Sequence, residues 1–166
     1  TALKGALARL HPRWDIVLID CPPNLGLLSV KALAAADEVL VPVETHGIAA
    51  VGLSDLLRTV EDARESQVNP TLTIGAIVAT RYNRTKEAKD CVQQTRQAFP
   101  HTMLKTVVRE SARLGEAFTY ARTIVEHDPE GMGAEDYRAV AVELLDRWNL
   151  LPSTSLETAR AATGAS

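Results

Sequence analysis

Short apolar runs alternate along the chain with longer stretches in which apolar residues recur every three or four positions. That alternation predicts strands and helices in turn, and with them an α/β fold with a largely parallel sheet. Ile16-Val17-Leu18-Ile19 is an unbroken branched run, as expected of a strand covered on both faces, and it stops at Asp20 ahead of Pro22-Pro23. Val39 to Val43 predicts a second strand, Leu72 to Thr80 a third, and Leu104 to Val108 a shorter fourth. Leu53, Leu56, Leu57 and Val60 fall on one helical face and predict a helix from about Ile48 to Ser66. Shorter helices are expected over Ala2 to Leu10 and Leu27 to Ala36, another along the face Ala88, Cys91, Val92, Thr95 and Phe99, and a last one carrying Tyr137, Val140, Leu144 and Trp148.

The first predicted strand has only a helix before it, although a run buried on both faces is usually central, so the sheet is expected to be incomplete at its N-terminal side. Residues 1–150 read as one domain. Residues 151–166, small and polar after Pro152, read as a mobile tail.

Composition narrows the classes. The 166 residues are 46% hydrophobic and 23% charged, which excludes a disordered or fibrous chain. No apolar run approaches the ~18 residues of a membrane span, and Thr1-Ala2-Leu3-Lys4-Gly5 has no signal architecture, so a cytoplasmic protein is expected. The two cysteines, Cys21 and Cys91, are too few for a disulfide framework and are expected to be buried thiols.

The formal charge of −3 hides an uneven distribution: from Arg81 to Arg122 there are nine Lys/Arg against four acids. A surplus of that kind suits phosphates, and it equally suits a solvated basic surface.

Trp14-Asp15-Ile16-Val17-Leu18-Ile19-Asp20-Cys21-Pro22-Pro23 puts a carboxylate at the carboxyl end of a predicted strand, where ligands of α/β sheets bind. This is the Walker B arrangement: an acid there can hold the water shell of a Mg²⁺ that bridges nucleotide phosphates. The same pattern also arises when an Asp simply caps a turn.

The wider string from Asp15 to Val43 resembles the ParA/Soj-type partition ATPases, the deviant-Walker-A branch of the P-loop fold. The resemblance continues through Gly52-Leu53-Ser54-Asp55, Asn83-Arg84-Thr85, Arg113-Leu114-Gly115-Glu116-Ala117 and Asp128-Pro129-Glu130-Gly131 to Tyr137, in order over nearly residues 1 to 150. It implies an ATP-dependent dimerising switch whose ATP-bound dimer binds DNA without sequence preference. A ParB-type centromere-binding partner would stimulate hydrolysis, and the protein would associate with the nucleoid.

By the same resemblance Asp20 is the catalytic Walker B carboxylate and holds Mg²⁺ through water, and Pro22 and Pro23 belong to a switch beside the nucleotide. Thr80 and Arg81, with Arg109, Glu110 and Ser111, fall where family members approach the adenine; Arg109-Glu110-Ser111 stands where Pro-Arg-Asn is usual. Arg84, Arg113 and Arg122 match the DNA-facing positions, and all three lie in the basic segment. The few aromatics there, Tyr82, Phe99, Phe118 and Tyr120, argue against a base-stacking platform for single strands.

The family's chemistry needs a Gly-rich loop opening a helix, whose N–H groups cradle the phosphates. None of the nine glycines forms a Gly-Lys dipeptide. The resemblance is therefore to the carboxyl-terminal portion of a partition ATPase. ATP and Mg²⁺ are expected as cofactors of the intact protein, and these residues alone are expected neither to bind ATP tightly nor to hydrolyse it. Two other readings remain: a non-enzymatic DNA-binding or interaction module, and a MinD-like membrane-cycling ATPase. The second is disfavoured because residues 155–166 carry no basic amphipathic face for a membrane.

Overall fold

Ala76, Ile77, Val78 and Ala79 are successive residues and none is more than 5% exposed, so both faces of their strand are covered. In the computed structural model, which describes residues 2–9, 14–22, 26–46 and 49–151, they belong to β2 (Thr73–Tyr82). β2 lies between β1 (Glu38–Glu44) and β3 (Met103–Arg109) in a three-stranded sheet of order β1-β2-β3. The helices are α1 (Ala2–Leu7), α2 (Leu27–Leu33), α3 (Ala49–Glu65), α4 (Lys86–Ala98), α5 (Ala112–Thr119), α6 (Ile124–His127) and α7 (Met132–Arg147). The chain divides into two compact units, Thr1–Lys105 and Thr106–Ser166.

In the first unit β1 and β2 run parallel, with Glu38 opposite Thr73 and Glu44 opposite Thr80. The register slips between Val39 and Leu40, which face Ile74 and Ala76, so Gly75 is the extra residue of a bulge. The end of the exposed Glu38 side chain lies over Gly75, in the space a Cβ there would take. Leu33, Val60, Ala63 and Leu72 form a buried cluster, against which Val39, Leu56 and Ile74 pack. Asn69, 3% exposed, pins this corner: its amide Nδ2 donates to the carbonyls of Leu33 at 2.8 Å and Ala36 at 2.7 Å. Leu33 ends α2 and Ala36 lies three residues beyond it, so the side chain satisfies one acceptor that the helix cannot and ties down the chain that follows.

The second unit contains α5, α6 and α7. Ala117, Ile124 and Ala134 form its buried cluster, with Leu114 packed against them. α6 is only four residues long and is held by a capping box: the Thr123 hydroxyl accepts from the Glu126 N–H, and the Glu126 carboxylate accepts from the Thr123 N–H at 3.0 Å. The Thr123 N–H first, and second the Thr123 hydroxyl, which donates to the same carboxylate oxygen at 2.8 Å, hold the Glu126 carboxyl below its usual range.

The expected strands at Val39–Val43, Leu72–Thr80 and Leu104–Val108 form. The strand expected at Ile16–Ile19 does not: residues 16–20 enter no ladder, and Ile16, Val17 and Leu18 are 36%, 48% and 76% exposed. A run that is apolar on both faces is stabilised only between two covering layers, and its pattern records what it could bury, not whether the cover is there. The buried-thiol expectation fails at Cys21 for the same reason, since Cys21 follows this run and is exposed. Pro23 and the tail from residue 152 onward lie outside the described residues.

Candidate functional site

Parallel sheets bind ligands at the carboxyl ends of their strands, and several of the residues singled out above gather there in the first unit. Thr80, paired with Glu44, donates its hydroxyl to the Val43 carbonyl at 3.3 Å. Thr45, 1% exposed, donates to the Arg81 carbonyl at 3.1 Å and so fixes the end of β2 on the end of β1. Arg81 and Arg84 both have left-handed backbones, φ 54° and 65°. The loop between β2 and α4 is thus tightly turned, and Asn83 braces it by accepting from the N–H and hydroxyl of Thr85, the N-cap of α4. Arg81 faces Glu44 across 3.9 Å with both side chains more than half exposed, a pair of little energetic weight. Arg84 is exposed.

Asp20 and Pro22 are exposed, on the segment that forms no strand. A lone accessible carboxylate suits a metal that keeps most of its own waters, as Mg²⁺ does, and does not by itself make an inner coordination sphere. Among the described residues no cluster of three or more His, Cys, Asp or Glu could hold a metal directly.

The remaining predicted residues belong to the second unit. Arg109 ends β3, and its guanidinium is committed to α7: Nη2 donates to Asp136 Oδ1 and to Glu135 Oε2, each at 2.6 Å, and Nε donates to Asp136 Oδ2 at 2.9 Å. These bonds, those to Asp136 first, raise the guanidinium pKa still further. Glu110 is exposed, and Ser111 is the N-cap of α5, with no side-chain capping bond. Sequence reasoning passes over Glu135 and Asp136, because a partner 26 or 27 positions away leaves no local pattern.

Arg113 and Arg122 come together. With Glu116, Tyr120 and His127 they line one open cavity of about 440 Å³. Arg113 Nη1 donates to Glu116 Oε2 at 2.7 Å, and the His127 Nε2 approaches the same oxygen at 3.5 Å. Arg113 first, and His127 second, hold the Glu116 carboxyl below its usual range, while Glu116 raises the Arg113 guanidinium. No helix among the described residues is long and apolar enough to cross a membrane.

Residues 1–74 match the family described as an AAA domain. The chain is 38% identical over 146 residues to the chromosome-partitioning ATPase Soj of Treponema pallidum, covering 87% of this chain and 57% of that protein. It is 39% identical over 148 residues to the Soj protein of Thermus thermophilus, covering 89% and 58%. The chain thus spans little more than half the length of the curated relatives it matches. Among solved structures, cobyrinic acid a,c-diamide synthase from Mycobacterium smegmatis, with bound ADP and magnesium, superposes with a TM-score of 0.70 at 31% identity, over 89% of this chain and 53% of that one.

Proposed function

We propose that this chain, a homologue over most of its length of the Soj/ParA chromosome-partitioning ATPases, carries the DNA-facing part of an ATP-dependent partition switch. Its parallel sheet flanked by helices is the P-loop NTPase arrangement of its structural neighbours. The observation that carries the reading is the convergence of Arg113 and Arg122 on one cavity, in a chain whose relatives partition chromosomes.

In this reading the two guanidiniums take DNA phosphates without reading sequence, and Arg84 is a separate phosphate contact of the first unit. Asp20 would hold a Mg²⁺ through its water shell, and Pro22 and Pro23 would follow the phosphate state. Thr80 and Arg81 stand at the strand ends toward the base of the nucleotide. Glu110 and Ser111, on a loop that Arg109 anchors to α7, are nucleotide-binding positions by the likeness to partition ATPases. ATP would supply the hydrolysable phosphoryl group and Mg²⁺ would neutralise its charge, and a second copy and a centromere-binding protein complete the cycle. Residues 1–166 contain no Gly-rich phosphate loop and do not turn over ATP by themselves.

The test is DNA affinity measured with and without ATP and Mg²⁺ in the protein carrying these residues. Nucleotide should raise the affinity, and Asp20→Ala should abolish the increase while leaving the residual affinity in place. Equal affinity with and without nucleotide in the unmodified protein would refute the switch.

A further inference from the structure

Tyr120 is the C-cap of α5, and its ring stacks on the imidazole of His127, with centroids 5.5 Å apart and planes inclined by 19°. The two rings differ in cover. The His127 side chain is 14% exposed, whereas Tyr120 is 67% exposed, so the imidazole backs one face of the phenol ring and the other faces solvent. Tyr120 and His127 line the same cavity as Arg113 and Arg122. An aromatic ring backed on one face, in a cavity that two arginines also line, is complementary to a planar base joined to phosphates.

We propose that this cavity takes one nucleotide unit of single-stranded DNA, its phosphates on Arg113 and Arg122 and its base stacked on the open face of Tyr120. The proposal rests on the DNA reading above and goes beyond it. Phosphate contacts are available on any duplex, whereas a base can lie on Tyr120 only if it is not already stacked in one. Arg113 is paired with Glu116 at 2.7 Å and lies 3.9 Å from Asp128, so a phosphate there shares an exposed guanidinium with these two carboxylates. Counting sequence aromatics disfavours such a platform because they are sparse, but one ring suffices where the fold sets it beside the cations.

The test measures affinity for a thymidine homopolymer of about 15 nucleotides, a typical single-strand footprint, and for a duplex of the same length. ATP and Mg²⁺ are present throughout, in the protein carrying these residues. Tyr120→Ala should weaken single-strand binding by roughly 5- to 150-fold and leave duplex binding unchanged. Tyr120→Phe should retain single-strand binding. Tyr120→Leu, which keeps bulk against His127 without an aromatic face, should lose it, and so separates stacking from a local structural effect. Arg113→Ala should weaken both. Tyr120 variants that bind both probes as the parent does, or that lose both equally, overturn the stacking site while leaving the phosphate site standing. If Arg113→Ala and Arg122→Ala change neither probe, the DNA reading itself fails.

Discussion

Arg109 and Asp136, 27 positions apart in sequence, are joined through both the side chain and the backbone of Arg109. Nη2 and Nε grip the carboxylate at 2.6 and 2.9 Å, and the Arg109 N–H donates to the same group at 2.8 Å. Asp136 is only 6% exposed, so a single buried carboxylate ties the end of β3 to α7. Removing one partner of such a pair strands the other's charge. Asp136→Ala should destabilise the protein by roughly 3 kcal/mol, moderated by the partial exposure of Arg109. Asp136→Asn, which keeps one acceptor for the backbone N–H, should cost less. Chemical denaturation of the two variants checks the order, and equal midpoints with the parent would contradict the clamp.

Asn69 supplies the matching anchor in the first unit, where it donates to two carbonyls at once. Asn69→Asp replaces that donor with an oxygen facing the Leu33 and Ala36 carbonyls. It should cost more than Asn69→Ala, for which about 1–3 kcal/mol per stranded group is expected. Thermal melting of the pair reads this directly, and the aspartate variant should melt first at neutral pH.

Arg113 and Arg122 should be separable from structure by salt. If each neutralises one phosphate, each alanine substitution should lower the slope of log affinity against log salt by about 0.9, with little effect on melting. A slope that does not change would make the pair a solvated surface.

Acid should loosen the second unit first. The carboxyls of Glu116 and Glu126 are held below their usual range in the folded chain, by Arg113 and by the Thr123 N–H respectively. Their contribution is therefore complete above the usual carboxylate range and is lost as pH falls through the depressed folded values. Both groups are exposed, so the effect is modest. Glu116→Gln and Glu126→Gln should flatten the acid limb of melting temperature against pH, and an unchanged limb in the double variant would exclude it.

The sequence made β2 legible because Leu72 to Thr80 is apolar in the way a doubly covered strand must be, and the cover is present. Ile16 to Ile19 has the same pattern and a different outcome, because periodicity describes a segment and burial depends on its neighbours. The site divides in the same way. Arg113 and Arg122 were legible as charges in a basic stretch. That they share a cavity with a stacked Tyr120 depends on the turn after α5, and no local pattern encodes it. Asp136 was misread because its partner is 27 residues away, beyond any helical or strand period.

The left-handed backbone of Arg84 sets two properties of this protein against each other. A residue with a Cβ at φ 65° gives up roughly 1 kcal/mol that glycine would not. Arg84→Gly should therefore relax the turn before α4 and leave the fold unharmed or slightly firmer, while removing a guanidinium meant for phosphate. A screen that selected only for heat resistance would discard this arginine; a screen for grip on DNA would keep it.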